Sequence, residues 1–208
     1  MAKEVSRILN PAPAWVAPRS EYLVFWHGCT DDDRRSIESE GLVLNRCRVN
    51  TDFGRGFYVT TRRRQAEEWA FLRAQDRPNQ TEPKPSQPVV LRLRIKRFDL
   101  ARLHSLQFVR GDYDDEDYWS LVQHCRQSNK ATKNKPAFIR HHDGPFFGWY
   151  DIVHGPVAAN WRQRALMANT DQVGFHTPAA VGLLNDLIGT GSNESYSFFE
   201  VAYDRESS

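Results

Sequence analysis

Apolar residues are continuous over Tyr22-Leu23-Val24-Phe25-Trp26 and give way at His27-Gly28-Cys29-Thr30, which predicts a strand buried on both faces with His27-Gly28 at its end. Asp31 to Asp33 then cap a short helix through Ile37 that Gly41 stops, and Leu42 to Thr51 reads as loop. Phe57-Tyr58-Val59-Thr60, aromatic and β-branched, follows the turn Asp52-Phe53-Gly54-Arg55-Gly56 and predicts a short buried strand. Thr60 is placed to cap a helix that begins at the arginines Arg62 to Arg64 and carries Trp69. Val89 to Lys96 alternates apolar and basic residues, the pattern of a half-buried strand.

Between these, Arg77 to Pro88 is a proline-rich connector with the polarity of a surface loop. Leu106 to Val109 predicts a short strand or a helical turn. Tyr118, Leu121, Val122 and Cys125 recur at helical spacing behind the acidic run Asp114 to Asp117, which suits a helix N-terminus. The basic stretch 126–140 reads as loop, and Phe146 to Val157 as a long strand ended by Gly155-Pro156. Gln172 to His176 is a further strand. Thr177 caps and Pro178 opens a helix whose Val181, Leu184, Leu187 and Ile188 form one stripe, with Gly189 as its stop. Tyr196 to Tyr203 is the last strand and carries Glu200. Residues 1–20 form an irregular leader and 21–205 one domain, of α+β class with a split, mostly antiparallel sheet and a few peripheral helices.

Composition narrows the classes rather than choosing one. A chain of 208 residues buries one good core. The net charge of +2 argues against wholesale coating of nucleic acid, although Arg62 to Arg64, Arg92 to Arg97 and the stretch 126–140 are locally basic. Three cysteines, Cys29, Cys47 and Cys125, have no metal-like spacing and read as reduced thiols. The N-terminus lacks the apolar core of a signal peptide and no run reaches membrane-spanning length, so a cytoplasmic location is the expectation.

Several chemistries fail on inspection. Asp52-Phe53-Gly54 matches the magnesium triplet of protein kinases, but no phosphate-covering glycine loop, strand lysine or catalytic-loop aspartate precedes it. His141-His142-Asp143 lacks a further ligand spaced to close a metal site. A thiol nucleophile at Cys29 or Cys125 has neither a base nor an oxyanion motif. What remains is the unit Gly54-x-Gly56, strand, cap and helix. Its glycines allow close backbone approach to a ligand, and Tyr58 and Trp69 stand where both rings could face one cleft, the plainer alternative being that both are core.

Taken in order, His27-Gly28, Asp52 to Thr60, Gln65 to Ala70, Tyr150 to Ala158 and Gln172 to Thr177 resemble the ADP-ribosyltransferase superfamily of diphtheria-toxin and PARP type. They are more closely similar to a bacterial family of uncharacterised proteins with the signatures HG, DFGxGFYxT, QAxxWA, YDIVxGPVA and QxxFHT. The resemblance covers roughly residues 22–203.

The resemblance implies a cleft in a split sheet that binds NAD as substrate and breaks its nicotinamide–ribose bond. His27 is then expected on the adenosine ribose, the Gly28 backbone on the nicotinamide amide, and Gly54 and Gly56 against the dinucleotide. Tyr58 is expected to stack on the nicotinamide ring, with Trp69 as the second ring. A cationic planar ring suits two aromatic faces, and its departure leaves an oxocarbenium-like sugar that a polar group must stabilise. Active members carry a glutamate at the start of a late strand, where this chain has Gln172; Glu200 is the alternative carboxylate.

A mono-ADP-ribosyltransferase acting as a bacterial toxin or phage-defence effector is therefore expected. Its acceptor would be RNA, DNA or protein, and a separate antitoxin protein would neutralise it. The rivals are a catalytically silent NAD- or ADP-ribose-binding module, an NAD glycohydrolase, and an interaction domain whose aromatics are core.

Overall fold

The computed structural model describes residues 21–75, 86–108, 116–127 and 150–189, and the backbone of 198–202. Strands β1 (Tyr22–Thr30), β3 (Pro88–Lys96) and β9 (Phe198–Ala202) form an antiparallel sheet in the order β1-β3-β9. A second sheet runs β2-β8-β5-β4, from β2 (Phe57–Val59), β8 (Gln172–Phe175), β5 (Ile152–Gly155) and β4 (Ser105–Gln107). It is antiparallel except for the β4–β5 pair. A small ribbon pairs β6 (Ala158–Asn160) with β7 (Ala165–Leu166). The class is mixed α+β, as the apolar pattern predicts.

Among the described residues the backbones of the two main sheets pair at one isolated bridge. Trp26 and Thr60 exchange both backbone hydrogen bonds at 2.8 Å. Among the described residues no further backbone bond joins β1 to β2.

Helix α1 (Asp31–Glu40) is longer than Asp31–Ile37, and Thr30 rather than the aspartates caps it. The Thr30 hydroxyl accepts from the Asp33 N–H (3.3 Å) while the Asp33 carboxylate accepts from the Thr30 N–H (3.2 Å), a reciprocal capping box. Gly41 ends the helix at φ 74°, with its N–H on the Ile37 carbonyl. Helix α2 (Arg63–Gln75) lies on sheet one through Ala66 and Ala70. Thr60 accepts from the Arg62 N–H (3.1 Å), a bond that turns the chain just before the helix; the helix opens at Arg63, so Thr60 is not its cap. Then come α3 (Arg97–Ala101), α4 (Glu116–Arg126) and α5 (Pro178–Gly189), whose Val181, Leu184 and Leu187 are buried. The Thr177 hydroxyl accepts from the Ala180 N–H at 3.2 Å, so Thr177 is the N-cap of α5.

The strand expected over 146–157 spans Ile152–Gly155 among the described residues. Residues 146–149 lie outside the described ones, and β5 stops at Gly155 because Pro156 has no N–H to continue a ladder. Among the described residues, two apolar cores are the largest. One packs Phe25, Phe57, Val59, Leu93, Ile95, Val173 and Phe175 against α5, while the other packs Phe53, Leu106, Val153 and Phe108 against Tyr118, Leu121 and Val122 of α4. Sheet two is therefore buried on both faces, which is why its strands read as continuous apolar runs.

Candidate functional site

The turn before β2 is built around one phenol. Gly54 takes φ 83°, a conformation that glycine adopts without strain. That brings the Gly54 carbonyl within 2.7 Å of the Tyr58 hydroxyl, which donates to it. The same oxygen receives the Phe53 N–H at 3.1 Å and the Thr51 hydroxyl at 2.8 Å. Burial, the largest influence, raises the Tyr58 phenol well above its ordinary range. Tyr58 is thus a neutral, saturated hydroxyl on a half-buried ring.

Gly56 leaves room for a buried ring. A Cβ there would stand 2.6 Å from His176 Nδ1 and 2.8 Å from the Phe175 carbonyl. Gly174, across the sheet from Tyr58, likewise leaves room for the His176 ring, whose Cε1 would lie 2.8 Å from its Cβ. His176 is fully buried, edge-on to Tyr58 at 5.7 Å, with Nδ1 2.8 Å from the Arg55 carbonyl. Desolvation holds its pKa down at about 4, against smaller opposing contributions from the Arg55 carbonyl and Asp151. The ring is neutral, so Nδ1 carries the hydrogen.

His27 and Tyr58 come together through the backbone. His27 Nδ1 donates to the Tyr58 carbonyl at 2.6 Å, and its ring lies 4.3 Å from that of Phe57. Burial lowers the His27 pKa, with the Tyr58 carbonyl and Asp33 opposing. The imidazole is held neutral with its other nitrogen, Nε2, as the acceptor. Gly28 is where α2 sits down on β1. A Cβ would collide with the Ala66 carbonyl and reach 2.8 Å from Ala70 N. Trp69, on the same helix, is 51% exposed and makes no ring contact with Tyr58 among the described residues.

Gln172 opens β8, as expected, and is only 9% exposed. Its Nε2 donates to Asp52 Oδ2 at 2.7 Å and to the Pro156 carbonyl at 2.9 Å. Asp52, 1% exposed, also accepts from the Ala158 N–H (2.8 Å) and from Arg126 Nε (2.8 Å). Glu200 stands elsewhere: β9 pairs it with Leu91, which in turn pairs with His27, so the three occupy one row of sheet one. Gln172 and Tyr58 share sheet two, whereas Glu200 lies two strands from β1 in the other sheet.

Three polar residues matter more than the residue patterns suggest. Asp52 is the clamp just described. Asp171 accepts from the Thr61 N–H (3.0 Å) and from the Thr60 and Thr61 hydroxyls. Its backbone is read in both directions by the Gln65 amide, at 2.7 and 3.0 Å. Asp151 takes the His104 N–H (2.9 Å) and the Thr177 hydroxyl. Each aspartate belongs to or adjoins a signature block, so the blocks were visible but their use as inter-strand hooks was not. His141-His142-Asp143 lies outside the described residues, among which no cluster has the makings of a metal site. A surface groove between α3 and α5, lined by Arg102, Leu103, Gly182 and Asp186, contains none of the residues above.

Residues 24–170, more than half of the chain, match the family model described as protein of unknown function (DUF3990). The chain belongs to that family. The match takes in His27-Gly28, the Asp52 turn and Tyr150 to Ala158, and ends just before β8. No curated protein matches the chain, and no solved structure matches it.

Proposed function

We propose that this protein is an NAD-dependent mono-ADP-ribosyltransferase acting on a macromolecule. The observation that carries the reading is the 2.6 Å bond from His27 Nδ1 to the Tyr58 carbonyl, beside the isolated Trp26–Thr60 bridge. It ties the His-Gly strand to the Tyr strand, and Gln172 opens the next strand over. Two sheets with one backbone bridge between them among the described residues support an ADP-ribosyltransferase-like split. The His27 tautomer leaves Nε2 to accept from a ribose hydroxyl of the adenosine half. Trp69, exposed on α2, supplies an aromatic face to the nicotinamide.

In the reaction the bond between nicotinamide nitrogen and ribose C1′ breaks, and its electron pair leaves with neutral nicotinamide. An acceptor oxygen or nitrogen then bonds to C1′ and releases a proton. Water in place of the acceptor yields free ADP-ribose. Such an activity harms the cell that makes it, which fits a toxin or defence effector held in check by a partner protein. The neutral amide at 172 favours a second reading, a silent NAD-binding module.

Labelled NAD incubated with the protein and fractionated lysate separates these readings. Label in a protein, RNA or DNA fraction, with nicotinamide released, supports the transferase. Nicotinamide without label makes it a glycohydrolase. A shift in melting temperature at millimolar NAD without nicotinamide leaves the binding module. No shift and no release refutes all three.

A further inference from the structure

The amide of Gln172 is held in one orientation. Its two partners, the Asp52 carboxylate at 2.7 Å and the Pro156 carbonyl at 2.9 Å, are both acceptors. Asp52 is committed to that role, because Arg126 and the Ala158 N–H donate to its two oxygens. Turning the amide over would press Oε1 against both acceptors in a residue 9% exposed. The NH2 end therefore faces Asp52, and Oε1 is left at the other end, where no described residue donates to it.

We propose that Asp52 is a positioning residue, which turns the Gln172 amide so that its oxygen is presented to a hydroxyl of the nicotinamide ribose. Position 172 is thus built for a neutral acceptor, and Gln172 is not a degraded glutamate. The proposal rests on the transferase reading for its substrate, but the orientation itself does not. A glutamate at 172 would set a second carboxylate against Asp52 and the Pro156 carbonyl, three oxygens with no hydrogen between them. Donating to Asp52 polarises the amide and enriches its oxygen, as in any chain of buried hydrogen bonds.

Two measurements test this on the full chain. In 15N NMR, the Gln172 side-chain protons, assigned by their loss in Gln172→Met, are expected to exchange at least about tenfold more slowly than those of an exposed glutamine. Exchange at the exposed rate overturns the orientation. In nicotinamide release, Gln172→Met is expected to keep KM for NAD within about threefold and lose at least about tenfold in kcat. Gln172→Glu is expected to be as impaired at neutral pH and to recover as pH falls, or when combined with Asp52→Asn, which returns a donor to the pair. Full activity and unchanged melting temperature of Gln172→Glu at neutral pH would sink the proposal, since the site would then accept a carboxylate. No nicotinamide release from the unaltered protein defeats the transferase reading instead, while slow amide exchange would still uphold the orientation.

Discussion

Arg126 reaches from the last turn of α4 to Asp52, placing Nε at 2.8 Å and a terminal nitrogen at 2.7 Å from the same carboxylate oxygen. Asp52 is 1% exposed and Arg126 31%, so one partner is shut away from water and the other is not. Arg126→Met leaves the carboxylate with only the Ala158 N–H and the Gln172 amide. Breaking a buried pair from one side costs about 3–5 kcal/mol, and the residual hydration of Arg126 moves the expectation to about 2–3 kcal/mol. Urea denaturation should show a lower midpoint with an unchanged slope. A loss under about 0.5 kcal/mol, the scale of an ordinary surface change, would mean that the pair contributes nothing to the fold.

The His176 imidazole makes stability depend on pH. Its folded pKa is near 4, below the ordinary 6.5, so the unfolded chain binds more protons between those values. The slope of unfolding free energy with pH is then positive. The contribution is complete above about pH 6.5 and is lost as pH falls toward 4. At 1.36 kcal/mol per pKa unit it amounts to about 3 kcal/mol. His27 and His154, also lowered by burial, act with the same sign. His176→Gln should flatten the pH dependence of the urea midpoint between pH 7 and 4.5. An equally steep dependence in that variant would assign the effect to other groups.

The resemblance implies a stacking role for the Tyr58 ring, and the structure gives the hydroxyl a second task. Tyr58→Phe removes the acceptor of the Phe53 N–H, while the Thr51 hydroxyl and the Gly54 carbonyl keep their bond to each other. A buried group left unsatisfied costs about 1–3 kcal/mol. The ring remains, so NAD turnover, where present, should fall far less in Tyr58→Phe than in Tyr58→Ala. Equal loss of activity in both, at equal stability, would shift the role from the ring to the hydroxyl.

Much of this fold is written in apolar runs and caps. The strands at 22–30, 88–96 and 172–175 and the α4 stripe follow from them, because burial on both faces or on one helical face leaves a plain periodic trace. The hooks leave none. Asp52 sits in a triplet that looked like a metal ligand without its partners, and its real partners are Arg126 and Gln172, brought in by packing of α4 and β8. In the sequence Gly28 and Gly56 read only as places of close backbone approach. Their hydrogens are needed for the Ala66–Ala70 face of α2 and for the His176 ring, long-range contacts that no local pattern encodes. Trp26–Thr60, the one isolated bridge among the described residues, is set by register rather than by residue type.

The two glycines around His176 can be told apart by a double-mutant cycle. At Gly174 an added Cβ meets His176 Nε2 and Cε1 first, and then Tyr58 Cε1 at 3.2 Å, a contact that a small ring shift relieves. At Gly56 the added Cβ meets His176 Nδ1 at 2.6 Å but also the Phe175 carbonyl at 2.8 Å, and β8 cannot move that carbonyl without disturbing its pairing with β2. Each glycine-to-alanine change should cost about 1–3 kcal/mol, the range for overpacking. His176→Ala removes the imidazole and itself destabilises, so the informative quantity is the coupling energy. Gly174→Ala should become nearly neutral in the His176→Ala background, whereas Gly56→Ala should keep most of its cost. Equal rescue at both positions would show that the Phe175 carbonyl yields, and that the histidine ring alone requires glycine at both sites.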